Sequence, residues 1–151
     1  MSFGFWVGKL KFKNYGFMAT IKKFEDITAW QQARILSKCI YNITNTKPFS
    51  SDFDLRSQIR RAGGSVMDNI AEGFERGGRI EFIQFLGISK ASAAEVRSQL
   101  YRALDQDYIT KETFEELYKL TDDIGKIIGA LMAYLNKSDI KGEKYKDRVS
   151  A

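Results

Sequence analysis

Very few side chains in this sequence are of a type that carries out catalysis. The chain has no histidine and a single cysteine, Cys39, so it lacks the usual acid–base group at neutral pH and the commonest metal ligand. Ser65, Asn69 and Glu72 recur at helical spacing, but no base is available to activate the serine hydroxyl. We therefore predict no catalytic residue and no cofactor. We interpret these three side chains as a structural polar core, in which each group needs a hydrogen-bond partner.

A run of carboxylates late in the chain could in principle bind metal ions. Its members are Glu112, Glu115, Glu116, Asp122 and Asp123. Di-metal helical bundles combine inward-facing glutamates with Glu-x-x-His pairs, which a chain without histidine cannot supply. Acidic residues in the first turn of a helix also stabilise its dipole. We predict a solvated helix face here and no metal site.

Arginines are the best candidates for binding a ligand, because the planar guanidinium group matches phosphate oxygens. The candidate residues for nucleic-acid binding are Arg56, Arg60, Arg61, Arg76 and Arg79. Two of them have a simpler alternative, because Arg76 can pair with Glu72 and Arg61 can pair with Asp68. Either the arginines share an anion-binding face or they form separate surface ion pairs.

The positive charge of the protein is concentrated at its two ends. The formal net charge is +5 for the 151 residues, of which residues 1–23 carry +5, residues 137–151 carry +2 and residues 24–136 carry −2. The first segment alternates lysines with aromatic residues, which could stack on bases, but we interpret it as an unstructured extension. Met18 is an equally good start, so whether residues 1–17 belong to the natural protein stays open.

Nothing in the sequence predicts secretion or membrane insertion. No apolar run approaches the roughly 18 residues of a membrane-spanning helix, and lysines interrupt the apolar residues at the start of the chain. One cysteine excludes an intramolecular disulfide and suits a reducing compartment. We therefore expect a cytoplasmic protein without a membrane partner.

Apolar residues recur at helical spacing in four segments. The predicted helices run from about 26–28 to 45, from about 51–54 into the glycines at 73–78, from about 79 to 104, and from 110 to about 136. Gly73 and the Gly77-Gly78 pair mark the end of the second helix, and short connections favour antiparallel neighbours. The sequence predicts an all-α, antiparallel up-down four-helix bundle over residues 24–136, with a flexible extension at 1–23 and a polar tail at 137–151.

The third predicted helix has more apolar surface than one core requires. Phe82, Leu86, Ser89, Ala93, Val96 and Leu100 form the core stripe. Ile83 falls on one side of this stripe, and Phe85 and Ile88 fall on the other. A helix that faces a single core needs an apolar stripe only somewhat over about 100° wide. We therefore predict that Ile83, Phe85 and Ile88 contact a second copy of the chain.

Several short motifs resemble one known family. The string Phe24-Glu-Asp-Ile-Thr-Ala-Trp30 is followed by Gln58-Ile-Arg60-Arg61-Ala62, Asn69-Ile-Ala-Glu72-Gly73 and Glu81-Phe82-x-x-Phe85-Leu86. Their order and spacing resemble the bacterial four-helix bundle proteins also called 23S rRNA intervening-sequence proteins, over about residues 24–136. The resemblance implies a four-helix protomer in a ring-shaped homopentamer. It also implies possible nucleic-acid binding, as in the accessory proteins of diversity-generating retroelements.

Two functional hypotheses follow from these patterns. The first is a non-enzymatic homopentameric module that binds RNA or DNA. The second is a structural scaffold that binds another protein and has no nucleic-acid role, which the near-neutral body and the surplus apolar surface favour.

Overall fold

A computed structural model describes residues 21–137. They form four helices, α1 (Thr28–Thr44), α2 (Phe53–Glu75), α3 (Arg79–Asp105) and α4 (Lys111–Lys137). Each helix packs on the next one along the chain, and α1 also packs on α4, which closes the bundle. The connections are short, so successive helices run in opposite directions. The predicted all-α four-helix bundle is confirmed.

Local signals in the sequence account for the ends of the helices. The Asp52 carboxylate accepts a hydrogen bond from the Leu55 amide at 3.0 Å and caps α2. The Thr110 hydroxyl accepts one from the Thr113 amide at 3.1 Å and caps α4. Such side chains satisfy amide groups that have no partner within the first helical turn. Gly77 adopts a φ of 80° in the tight connection between α2 and α3, a conformation that glycine takes without steric cost.

The predicted core stripe of α3 lies in the centre of the bundle. All six of its members, Phe82, Leu86, Ser89, Ala93, Val96 and Leu100, are fully buried. The buried polar member, Ser89, donates its hydroxyl to the Val66 carbonyl of α2 at 2.6 Å. Its burial therefore leaves no unpaired donor, which would otherwise cost about 1–3 kcal/mol.

The prediction that Gly73 ends the second helix is wrong. Gly73 is a buried residue within α2, which continues to Glu75. A Cβ atom at this position would lie 2.5 Å from Cβ of Phe85 on α3. Gly73 is therefore the point at which α2 and α3 approach closely. Glycine is also common just after the end of a helix, so the sequence alone could not distinguish a close helix contact from a helix end.

Both predicted terminal segments lie outside the described residues, apart from residues 21–23 and Lys137. Over residues 21–137, no helix combines the length and the hydropathy that crossing a membrane requires. Within the same range, no cluster of three or more histidine, cysteine, aspartate or glutamate side chains is arranged to hold a metal ion.

Candidate nucleic-acid interface

Arg60 is held against the C-terminal end of α1. Its Nε donates to the Thr44 hydroxyl at 2.8 Å, and one terminal nitrogen donates to the Asn45 side-chain carbonyl at 2.8 Å. Its guanidinium also lies 4.5 Å from the ring centroid of Tyr41. A cation at the end of a helix complements the negative end of the helix dipole. Arg60 therefore ties α2 to α1, and two of its N–H donors are used within the protein.

Two other candidate arginines lie on α2 in different surroundings. Arg56 donates to the Ser50 carbonyl at 2.8 Å and lies over the ring of Phe53 at 4.7 Å. Arg61 is exposed, and no ion pair joins it to Asp68 or to another residue of the described range. Of the two, Arg61 is the one whose guanidinium is directed into solvent without a protein partner in residues 21–137.

The remaining two candidates lie near the other end of α2. Arg76 pairs with Glu72 at 3.1 Å, as one alternative predicted, and its guanidinium covers the ring of Phe85 at 5.2 Å. Arg79 donates to the Leu135 carbonyl at 3.1 Å, at the end of α4. Because about 24 Å of helix separates Arg60 from Arg76, the five arginines do not form one compact cluster.

Two of the three residues predicted to form a polar core are in contact and are partly buried. Asn69 donates to both the carbonyl and the hydroxyl of Ser65 at 2.8 Å, and the Ser65 hydroxyl is hydrogen-bonded to Ser92 of α3 at 2.8 Å. These groups form a polar contact between α2 and α3. The placement of Glu72 in this core is wrong, because its side chain is 54% exposed and pairs with Arg76. A carboxylate is costly to bury, and this one stays at the surface, where it has a cationic partner.

An open groove of about 670 Å³ runs along the outer surface between α3 and α4. From α3 it is lined by Gly87, Lys90, Ala91, Ala94 and Arg97. From α4 it is lined by Asp122, Gly125, Lys126 and Gly129. Its floor consists of small residues, so the long cationic side chains lie over it. We call this feature the α3–α4 groove.

The α3–α4 groove carries three cations and one carboxylate. Lys126 donates to Asp122 at 2.9 Å, and Arg97 lies 3.8 Å from the same carboxylate. The hydrogen bond from Lys126 lowers the pKa of Asp122 and raises the pKa of Lys126, so both groups are charged at neutral pH. Lys90 lies over Gly129 and has no ion pair within residues 21–137. The groove therefore has a local charge of +2.

Three aromatic rings lie beside the cations at one end of the groove. The Tyr101 ring of α3 lies 4.8 Å from that of Phe114 and 5.8 Å from that of Tyr118, both on α4. Arg97 connects this cluster with the groove, because its guanidinium lies 6.0 Å from the Tyr118 ring. Tyr101 is 50% exposed, so one side of its ring is available to a ligand.

The three apolar residues predicted to contact a second copy differ in exposure. Ile83 is half-buried and packs against the core of its own chain. Phe85 is half-buried between Gly73 and the guanidinium of Arg76. Ile88 is 50% exposed. Contacts within the protomer therefore account for part of the surplus apolar surface, and self-association stays a prediction.

The cations of the groove were not among the residues predicted from the sequence to bind a ligand. Lys90 and Arg97 are two turns apart on the same face as Gly87, Ala91 and Ala94, a spacing that could have been recognised. Lys126 could not be assigned to this group from the sequence. It joins the others only because α3 and α4 pack side by side.

Comparison with known proteins places the chain in a family. No curated protein matches it. A crystal structure at 1.70 Å of a protein of unknown function, from the S23 ribosomal protein family of Bacteroides thetaiotaomicron VPI-5482, matches with a TM-score of 0.64 and 24% sequence identity, over 70% of this chain and 95% of that chain. That likeness shows the fold. The family model of the 23S rRNA-intervening sequence protein matches residues 25–130. The chain therefore belongs to the family of 23S rRNA-intervening sequence proteins.

Proposed function

We propose that this protein is a non-enzymatic, cytoplasmic binding module that assembles with copies of itself and binds the phosphate backbone of RNA or DNA. The observation that supports this proposal is the α3–α4 groove, where Lys90, Arg97 and Lys126 outnumber the single carboxylate of Asp122. Residues 24–136 have a net charge of −2, so the groove is locally basic on a body with an excess of acid. Contacts from lysine and arginine to phosphate supply most of the affinity in sequence-independent binding.

The groove is a better candidate than the arginines of α2 taken together. Arg56, Arg60 and Arg76 already use their guanidinium groups to hold loops, helix ends or a neighbouring carboxylate. Phosphate binding there would give up contacts within the fold. Arg61 is exposed and has no such contact in the described range, so among the candidates on α2 we propose Arg61 as an additional phosphate contact.

Membership in the family supports RNA as the first ligand to test. The family takes its name from the intervening sequences of 23S rRNA, and a structured fragment of 23S rRNA is therefore a suitable probe. We propose that binding follows charge rather than base sequence, because the groove offers cations to the phosphate backbone and phosphate contacts carry no sequence information.

We propose a homopentamer as the state of assembly. The support is the family resemblance together with large apolar side chains that stay in solvent on the protomer, among them Ile80 at 63% and Ile88 at 50% exposed. A pentamer would have a mass of about 86 kDa, since the chain mass is 17.3 kDa. Light scattering at micromolar concentration tests this, and a mass of one chain would rule out the assembly.

The binding experiment is a titration of the 23S rRNA fragment, and of DNA of the same sequence, at a series of salt concentrations. We expect affinity to fall steeply with salt, and Lys90→Gln to reduce the slope of log Kd against log salt by about one. Lys38→Gln is the matched control, because Lys38 is an exposed lysine on α1, outside the groove. If neither nucleic acid binds at low salt, the proposed ligand is wrong.

The alternative is a structural scaffold that binds another protein and has no nucleic-acid role. The exposure of Ile80 and Ile88 on the same helix favours it, because exposed apolar side chains can mark an interaction surface. Affinity capture with and without nuclease separates the two functions. A protein partner that is retained after nuclease treatment, with no binding of the RNA fragment, would establish the alternative.

A further inference from the structure

We infer that the α3–α4 groove takes a single strand of nucleic acid and that Tyr101 stacks on one of its unpaired bases. This inference rests on the proposed function and specifies the form of the ligand. It depends on two features that are next to each other in the fold, a row of cations for the backbone and a partly exposed aromatic ring for a base.

The cations and the ring follow one line along α3. Lys90 and Arg97 are seven residues apart, so they lie on the same face at a separation of about 10 Å, and Tyr101 follows after about 6 Å more. Lys126 reaches the same line from α4. One strand that ran along the groove would pass its phosphates over the cations before its base reached Tyr101.

The ring of Tyr101 is held in place by its neighbours. Phe114 packs against it in a tilted arrangement at 4.8 Å, and Tyr118 contacts it edge-to-face at 5.8 Å. Both rings come from α4, so Tyr101 has little freedom to turn away from the position in which half of its surface is exposed. A ring that is already fixed loses little conformational entropy when a base stacks on it.

This arrangement favours a single strand over a duplex. In a duplex the faces of the bases are covered by the neighbouring bases, and exposing one requires unstacking it. A positively charged groove that follows the backbone, combined with an aromatic ring for the bases, is the usual arrangement in proteins that bind single strands without sequence preference.

The small residues of the floor give the strand its space. At Gly129 an added Cβ would lie 3.5 Å from the Lys90 ammonium, and at Gly125 it would lie 3.4 Å from the Arg97 guanidinium. Those atoms are the ends of flexible side chains, so alanine is compatible with folding at both positions. It would nevertheless raise the floor of the groove beneath the cations, and we expect Gly129→Ala to weaken binding of the strand without destabilising the helix.

The test compares one short labelled oligonucleotide as a single strand and as a duplex, by fluorescence anisotropy with the full chain. We expect the single strand to bind at least about tenfold more tightly, and Tyr101→Leu to remove on the order of tenfold of its affinity. Leucine keeps apolar cover over Phe114 and Tyr118 but offers no aromatic face. Tyr101→Phe should bind like the original protein, and the salt slope should be unchanged in both variants because no cation is lost.

Phe53→Leu is the matched control, since Phe53 is 67% exposed and lies beside an arginine but is outside the groove. A 2-aminopurine base in the strand adds a direct readout, because its fluorescence should be quenched by the original protein and less so by Tyr101→Leu. The inference is overturned if the single strand and the duplex bind with equal affinity, or if Tyr101→Leu binds the single strand as tightly as the original protein does. Either result would leave the proposed function standing.

Failure of both forms to bind would remove the proposed function together with the inference. The competing occupant of the groove is a second copy of the chain. If Gly129→Ala or Tyr101→Leu lowers the mass of the assembly in light scattering, the groove is a subunit interface and the inference is wrong.

Discussion

Two glycines of α2 offer a sharp test of how α2 and α3 pack. Alanine in the interior of a helix is favoured over glycine by about 1 kcal/mol, and both Gly64 and Gly73 lie within α2. At Gly64 a Cβ would meet no atom within 4 Å, whereas at Gly73 it would lie 2.5 Å from Cβ of Phe85. The same substitution should therefore have opposite effects at the two positions.

The size of the effect at Gly73 follows from the contact with Phe85. Carbon atoms pack best at about 3.5–4.0 Å, so the two helices would have to separate by about 1 Å. Both atoms are Cβ atoms fixed to a helix backbone, and no rotamer change can relieve the overlap. Overpacking of a core costs typically about 1–3 kcal/mol. Because neither Cβ atom can move away, we take the upper half of that range, about 2–3 kcal/mol. After about 1 kcal/mol of helix propensity is subtracted, we expect Gly73→Ala to destabilise the protein by about 1–2 kcal/mol.

The measurement is urea denaturation followed by circular dichroism, at one fixed protein concentration because self-association would add to the apparent stability. Gly64→Ala should raise the free energy of unfolding by up to about 1 kcal/mol. If Gly73→Ala were as stable as the original protein or more so, the close approach of α2 and α3 at Phe85 would be refuted.

Three further predictions concern single side chains. Burial raises the pKa of the Cys39 thiol to about 11, so a thiol-specific reagent should react slowly with native protein at pH 8 and rapidly in denaturant. The hydrogen bond from the Leu55 amide lowers the pKa of Asp52; its contribution to stability is therefore complete above the ordinary pKa and is lost as the pH falls below about 4. Asp52→Asn, which still caps the helix, should remove this pH dependence in acid denaturation while keeping the stability at pH 7. Arg60→Ala should destabilise the protein by about 1–2 kcal/mol in thermal or urea unfolding, since it removes two charge-assisted hydrogen bonds that are partly exposed to solvent. Arg61→Ala is its control, and an equal loss of stability there would contradict the assignment of Arg60 to the α1 contact.

The fold could be predicted closely from the sequence because each helix carries its own local signals. The fourth helix was predicted to begin at residue 110, where the Thr110 hydroxyl caps it, and the core stripe from Phe82 to Leu100 is buried as the periodicity indicated. Caps and stripes depend on residues within a few positions of each other along the chain. Errors occurred where one residue type fits two local situations, as at Gly73.

The candidate site was less predictable, because it depends on which helices become neighbours. The sequence indicated the arginines of α2 as possible ligand groups, but it did not show that Arg60 is used by the end of α1 or that Arg79 reaches the carbonyl of Leu135. Both contacts join residues that are more than a dozen positions apart. Helical periodicity carries no information about such pairs.

By itself the sequence determined a four-helix protomer without histidine chemistry and with an excess of acid over residues 24–136. Only the tertiary structure determined which surface of residues 24–136 carries an excess of basic side chains. Periodicity fixes the face of each helix on which a side chain lies, but the packing of α3 against α4 brings Lys90 and Arg97 to the same groove as Lys126. Electrostatic potential depends on distance in space, so a body with net negative charge can still present a positive surface to a ligand.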